Sequence, residues 1–413
     1  MTLPTEALSS SYRWKMYILC WVVSMFAGVA STLMSLYLSV AVKDLTGVQD
    51  AQMVSMVGSY VSSLFLIGWT IGGIGLGIIA DKIGRVRSLM LAIFLYTFPT
   101  AMAGFAHSWE ILVVCRFLTG AGIGATLVVT TTFIAEIWKN SSRATALGIL
   151  ANSYAVGIVS AGVVNYCIAD WRTAFWVSSL PIVMIVVVAI AMKDTALWQS
   201  ARSAAGSQRS QIATLTNSDN RRNFIVASMM FGTMLVGLWA TFSWLPTWIQ
   251  SLLSGETNGQ KERGIAMMLL GLGGIVGTFF AGFLSTTLGR KKPLLISFLG
   301  CFLASILLYK TNTVLSGLIF IEVGILSLFF GLSQGVMTNY IPELFPTIIR
   351  GTATGFCFNI GRIVTAIAVF FVGMIVVTLG GYHNAVFVFS YAYLLGFIVI
   401  FFAKETKDAA LPI

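Results

Sequence analysis

At 413 residues, with 57% hydrophobic and only 10% charged side chains, the chain holds too few charges to cover a soluble surface, where about 25% is usual. Its five cysteines, Cys20, Cys115, Cys167, Cys301 and Cys357, lie in apolar stretches and form no CxxC pair, which argues against a disulfide framework or a zinc site and for small apolar packing residues. The net charge of +10 raises nucleic acid as a partner, and the placement of the positive residues argues against it.

In chain order, 1–15 is short and polar with no cleavable signal pattern, and the apolar run that follows, 16–42, is too long for a signal-peptide core. A membrane-spanning helix needs about 20 apolar residues. Runs of that kind continue at 53–80, 88–106, 109–135, 145–168 and 173–192, then at 223–250, 264–287, 293–309, 314–340, 351–378 and 384–403. The stretch between the two sets, 193–222, is rich in Ser, Arg, Gln and Asn and reads as a cytoplasmic linker. The expected architecture is an all-α membrane protein of twelve transmembrane helices in two pseudo-symmetric six-helix bundles, 1–192 and 223–413, joined by 193–222. Twelve crossings put both termini on one side. With that side taken as the cytoplasm, eighteen of the 25 Lys and Arg residues fall in inside segments. Five fall outside (Lys43, Arg172, Lys261, Arg263 and Lys310), and Arg116 and Arg362 remain within helices. Positive loops stay on the cytoplasmic side of membrane proteins, so the bias sets the orientation and explains the charge without nucleic acid.

Two segments recur. Gly77-Ile-Ile-Ala-Asp81-Lys-Ile-Gly84-Arg85-Val-Arg87 joins helices two and three, and Gly282-Phe-Leu-Ser-Thr286-Thr-Leu-Gly289-Arg290-Lys-Lys292 joins helices eight and nine. Glu136-Ile-Trp with Arg143-Ala-Thr145-Ala-Leu-Gly148 and Asn152 matches Glu343-Leu-Phe with Arg350-Gly-Thr352-Ala-Thr-Gly355 and Asn359. Two matches at nearly one offset indicate a duplicated six-helix unit, an arrangement that places a binding site between halves near the bilayer midplane.

These residues resemble the major facilitator superfamily. Gly77 to Arg87 satisfies its G-x-x-x-D-x-x-G-R-x-[KR] loop signature; the second copy departs at Thr286. Arg116-x-x-x-Gly120-x-x-x-Gly124 resembles the family's helix-four pattern. Within the superfamily the chain is similar to metabolite:proton symporters of organic acids, such as sialic acid, lactate or aromatic acids. Trp244-Leu-Pro246-Thr247-Trp248, Ile134-Ala-Glu136-Ile-Trp138 and Asn359-x-x-Arg362 carry that likeness. Two departures stand out: helix one has no acid between Met16 and Val42, and Gly124-Ala125 stands where relatives have Gly-Glu. The helix-five Gly-Pro signature of drug antiporters is also missing from Gly157 to Gly162.

The resemblance implies a cytoplasmic latch. Asp81, Arg85, Glu136 and Arg143 would form its N-half network and Glu343 with Arg350 its counterpart, with Gly77, Gly84, Gly289 and Arg290 supplied by the loop signatures. Paired in one state and released in the other, such charges set rates; a static topology anchor is the alternative. Charges deep in a membrane are functional candidates by default. Arg362, about 18 Å into helix eleven at 1.5 Å per residue, suits a carboxylate, which a guanidinium grips through two hydrogen bonds; a structural pair with helix-end carbonyls or Glu322 is the alternative. Asn359 lies one turn earlier. Glu322 is the one carboxylate clearly inside a helix, a proton carrier or half of a fixed salt bridge. Arg116 stands near the outer end of helix four, able to bind substrate or to snorkel to the surface. Uncharged cavity candidates are Tyr37, Tyr60, Asn152, Trp239, Trp244, Gln334 and Asn339, each of which packing alone also explains.

The function expected is secondary active transport of a small organic anion, proton-coupled, by a monomer in a bacterial inner membrane, with no cofactor or metal. A carrier of a sugar, amine or amphipathic drug, uncoupled or exporting, is the alternative. An enzyme is disfavoured because HExxH, GxSxG and a P-loop are all missing, and His107 and His383 map to outer loops. Gly75-x-Gly77-x-x-Ala80 mimics a dinucleotide fingerprint but follows no strand, and the Asn140-Ser-Ser142 sequon maps to the cytoplasm.

Overall fold

The computed structural model describes residues 9–48, 50–138, 142–195, 198, 218–253, 259–346 and 349–407, without the side chains of 81, 144, 218, 219, 351 and 352. The chain falls into two compact units, Met1–Gly206 and Ser207–Ile413. Unit one holds helix one (Ser10–Thr46), two (Ala51–Ile83), three (Arg85–Gly104), four (Trp109–Ile137) and five (Arg143–Cys167). Helix six runs Trp171–Ser179, tightens through a 3₁₀ turn at Leu180–Val183 and resumes as Met184–Ala191. Pro181 within that turn lacks an N–H to donate, the local reason for the break. Unit two holds helix seven (Ser218–Ser251), eight (Gln260–Leu288), nine (Lys291–Lys310), ten (Gly317–Glu343), eleven (Arg350–Phe370, continued by Val372–Thr378) and twelve (Tyr382–Phe401).

These are the twelve apolar runs, each long enough to cross a bilayer. The helices outreach the runs where polar caps carry them past the hydrocarbon. Ser9 accepts the N–H of Tyr12 at 3.2 Å and starts helix one six residues before its apolar run; Gly47, at φ +68°, ends it. Asp50 accepts the N–H of Gln52 at 3.0 Å and starts helix two. Such caps satisfy amides that the first helical turn leaves without partners. The predicted linker, 193–222, lies mostly outside the described residues.

Within unit one, helices two and four meet backbone to backbone. A Cβ on Gly72 would stand 2.0 Å from the Ala121 carbonyl oxygen, and one on Gly124 would stand 2.1 Å from that of Trp69. Helices one and five cross as closely at Gly28 and Gly157. Unit two repeats both pairings. Helices eight and ten close at Gly277 and Gly331, and helices seven and eleven at Gly232 and Gly361. Lipid is as apolar as leucine, so close packing of small residues, not burial of oil from water, holds membrane helices together. The opposite faces are large and bare: Ile190 is 79% exposed and Phe279 77%. In water such faces would aggregate; against acyl chains they are solvated.

The packing makes a paired prediction. Gly72→Ala pushes a methyl into backbone that cannot yield, and should cost about 1–3 kcal/mol, seen as a lower thermal midpoint in detergent. Gly75→Ala, one turn along, meets nothing within 4 Å and should leave the midpoint level or raise it. A Gly72→Ala protein as stable as the wild type would refute the contact between helices two and four.

Candidate functional site

At the basic end of unit one, the turn between helices two and three carries Arg85 onto the end of helix four. Arg85 donates from Nε and Nη2 to Glu136 Oε1 at 3.1 and 2.8 Å. The free oxygen of Glu136 accepts the hydroxyl of Thr195. The neighbouring Asp194 accepts the Val86 N–H at 3.0 Å and so caps helix three, where negative charge is favoured. Gly84, at φ +101°, lies beneath that carboxylate, and a Cβ there would come within 2.5 Å of Asp194 Oδ2. The glycine of the loop signature is therefore obliged twice, by its dihedral and by the acid above it.

Unit two builds the same device. Arg290 donates from Nη2 to Glu343 Oε1 at 2.9 Å and from Nε to Oε2 at 3.1 Å, a two-pronged grip. Thr406 donates to Glu343 Oε2 at 2.5 Å. Glu405 accepts the backbone N–H groups of Arg290 and Lys291 at 2.9 and 3.1 Å, over Gly289 at φ +88°. Asp194, Thr195, Glu405 and Thr406 escaped the sequence reading. Their signal was present in Lys193-Asp194-Thr195 and Lys404-Glu405-Thr406, a tripeptide repeated after the last helix of each unit.

The other predicted latch residues sit close by. Arg143 donates to the Trp138 carbonyl at 3.4 Å, and Arg350 donates to those of Pro342 and Phe345 at 3.1 and 3.2 Å. Both arginines thus serve the carbonyl ends of helices four and ten. A Cβ on Gly77 would meet a methyl of Val128 at 3.5 Å, an ordinary contact. The side chain of Asp81 lies outside the described residues. At the opposite end of unit one, Arg172 bridges Asp44 (2.9 Å) to the carbonyls of Gly104 and Ala106, beside the Trp171 ring.

The two interior arginines differ. Arg116 does not snorkel. It is 2% exposed and donates from Nη1 and Nη2 to the Ala30 and Ser31 carbonyls of helix one, at 2.8 and 3.1 Å. Its guanidinium lies 4.4 Å over the Phe65 ring, its Nε has no acceptor, and among the described residues no carboxylate lies within 4 Å of it. Arg362 is half-buried on helix eleven, with its guanidinium 5.8 Å over Phe231, beside the crossing of Gly361 and Gly232. Asn359, one turn before it, donates to its own helix at Gly355.

Glu322 pairs with neither arginine. It is the sixth residue of helix ten, and its Oε2 accepts the Asn312 amide at 2.6 Å. Asn312 also binds the Leu307 and Leu308 carbonyls, which ties Glu322 to the end of helix nine.

The uncharged candidates divide. Tyr37 is fully buried and donates to the Ile168 carbonyl at 2.6 Å, bolting helix one to the end of helix five. Tyr60 stacks on Trp109, Trp239 meets Phe242 edge-on, and Trp244 is buried against Tyr382. Asn152 is half-buried on helix five. Gln334 keeps its amide nitrogen buried without an acceptor, and Asn339 is exposed.

Residues 16–369 and 264–412 match the Major Facilitator Superfamily. The cis,cis-muconate transport protein of Acinetobacter baylyi is 30% identical over 367 residues, 85% of either chain. The sialic acid transporter of Escherichia coli is 26% identical, over 80% of this chain and 79% of that one. Among solved structures, the inward-open xylose transporter of E. coli matches with a TM-score of 0.79 over 97% of this chain and 98% of that one, at 16% identity, a likeness of fold alone.

The carboxylate caps carry a pH prediction. Burial works against the charge of Glu405, but the N–H groups of Arg290, Lys291, Lys407 and Thr406 outweigh it and hold the carboxyl below its usual range. A lowered folded value stabilises the protein above the ordinary glutamate value of about 4.3, and that contribution is lost as pH falls through the folded value. The thermal midpoint should therefore drop below about pH 4, and Glu405→Gln should lower it at neutral pH and flatten the acid limb. Identical acid limbs in the two proteins would remove Glu405 from this role.

Proposed function

The chain belongs to the Major Facilitator Superfamily, a membrane transporter and not an enzyme, and on that premise we propose that it carries a small organic carboxylate across the membrane by alternating access. One observation carries the reading: the charge inside the helices is positive. Arg116 and Arg362 stand within helices four and eleven, against one acid clear of the helix ends among the described residues, Glu322, which is held by Asn312 from the end of helix nine. A cation in hydrocarbon is costly unless it is paired. An anionic substrate supplies a counter-charge for Arg116, which no carboxylate among the described residues reaches within 4 Å; an amine would add to the positive charge, and a sugar would leave it unchanged. The printed names of the relatives support the same class, since muconate and sialic acid are both carboxylates.

On this reading Arg362, with Asn359 beside it, and Arg116 are the cations that receive the anion, and Tyr60, Asn152, Gln334 and Asn339 remain cavity candidates. Gly77, Asp81, Gly84, Arg85, Glu136, Arg143, Gly289, Arg290, Glu343 and Arg350 form the latch. Every ion pair in it joins the end of one helix to the start of another, so parting it frees whole helices rather than side chains. Glu322 carries the coupled proton. The basic ends of the helices and both termini face the cytoplasm of a bacterium, and the carrier works as a monomer.

Uptake of labelled cis,cis-muconate, sialic acid and 4-hydroxybenzoate into proteoliposomes tests the reading. At least one acid should accumulate. Arg362→Ala should cut its uptake about 10- to 100-fold, the worth of a lost charge-assisted hydrogen bond, and Arg362→Lys should fall between. Glu322→Gln should flatten the response of uptake to an imposed pH gradient. Full uptake by Arg362→Ala would sink the assignment of that residue, and no flux of any organic acid would sink the substrate class.

A further inference from the structure

Five side chains from four helices of unit one form a closed circuit around Arg116. The guanidinium lies over the Phe65 ring at 4.4 Å. Phe65 meets Trp69 edge-on at 5.8 Å, and Trp69 meets Tyr154 at 5.7 Å. Tyr154 donates a hydrogen bond from its hydroxyl to Ser31 Oγ at 2.6 Å, and Ser31 Oγ donates in turn to the Gly28 carbonyl at 2.8 Å. Arg116 closes the circuit on the Ser31 carbonyl at 3.1 Å. The helix-four pattern explains why the walls stand there. Gly120, one turn beyond Arg116, lets helix four touch the backbone at Phe65, where a Cβ would stand 2.1 Å from the carbonyl oxygen. Gly124, one turn further, leaves room for the Trp69 indole, 2.8 Å from a would-be Cβ.

The circuit engages both terminal nitrogens of the guanidinium but leaves its Nε and its charge unanswered. Helix-one carbonyls are dipoles already engaged by their own helix, and a phenyl face offsets a cation only in part. No carboxylate lies within 4 Å of Arg116 among the described residues, and its buried Nε points at no acceptor. A carboxylate would supply both the acceptor and the charge that are lacking here. It would be lined by aromatic rings, which favour a flat, conjugated body lying against the indole. Tyr154, half-buried while Phe65, Trp69, Arg116 and Ser31 are buried, is the member a ligand meets first; its hydroxyl can turn from Ser31 to a carboxylate oxygen.

We propose that Arg116, Ser31 and Tyr154 form a carboxylate subsite whose walls, Phe65 and Trp69, make the carrier select planar conjugated or aromatic carboxylates over saturated ones. This rests on the reading that the chain carries organic anions, and it assigns specificity within that class. Competition against labelled substrate, with purified full-length protein in proteoliposomes, tests it using matched pairs: benzoate with cyclohexanecarboxylate, and cis,cis-muconate with adipate. The wild type should bind the flat member about three- to tenfold better, the worth of an aromatic contact. Trp69→Leu should erase that ratio, weakening the flat member more than the saturated one. Tyr154→Phe should weaken both members alike, by about tenfold, through loss of a hydrogen bond to a charged group. A wild-type ratio of one overturns the proposal without any variant, as does a ratio unchanged in Trp69→Leu or affinities unchanged in Tyr154→Phe. In each of those outcomes organic acids are still carried, which separates failure of the subsite from failure of the substrate class.

Discussion

Within a bilayer no water is at hand to solvate a charge or an unpaired amide, so each must be answered by protein or by cargo. Most of this structure follows from that constraint. Hydroxyls along the helices donate back to carbonyls one turn earlier, as Ser55, Ser59 and Ser63 do in helix two. Helices approach until glycines touch, since burying oil gains nothing against lipid. Arg116, unable to reach water, turns into helix one and takes two of its carbonyls. That arrangement partners its two terminal nitrogens and leaves its Nε and its charge unanswered, and the functional reading grows from this imbalance.

The ends of the helices obey a different physics. There the charges are within reach of water, and the acids serve as caps and clasps rather than as buried cargo sites. Each unit lays an arginine from one turn across the glutamate ending another helix, then locks the pair with the threonine of a Lys-acid-Thr tripeptide. The two copies differ in detail: Asp194 caps with one oxygen, while Glu405 spans two amides. The longer side chain reaches one residue further, and the shorter acid sits closer over its glycine. A device built twice from different residues is better evidence of a physical requirement than one copy would be.

Function joins the two regimes. On the proposed reading the carrier holds an anion briefly in the middle and lets whole helices part at the ends. Arg116 on helix four and Arg362 on helix eleven supply the cations for that hold. The ends supply ion pairs that join separate helices, each partly open to solvent, where breaking a pair costs far less than in hydrocarbon.

Twelve helices, their order and the duplication were legible in the amino-acid string, because hydrocarbon imposes a length and a polarity on any segment that crosses it. Arg85, Glu136, Gly289 and Glu343 could be picked out through a repeated pattern. The direction in which a buried side chain turns was not legible. By its distance from the helix end Arg116 could bind substrate or snorkel, and its guanidinium points inward, because Gly120 and Gly124 draw helix two against helix four and helix one offers carbonyls nearer than water. Glu322 could have met an arginine by depth alone, and instead Asn312 from the preceding helix end claims it. Composition and period determined what crosses the membrane. Only tertiary packing decided which carbonyl, ring or amide each polar group would find, since those partners lie on other helices, tens to more than a hundred residues away in the chain.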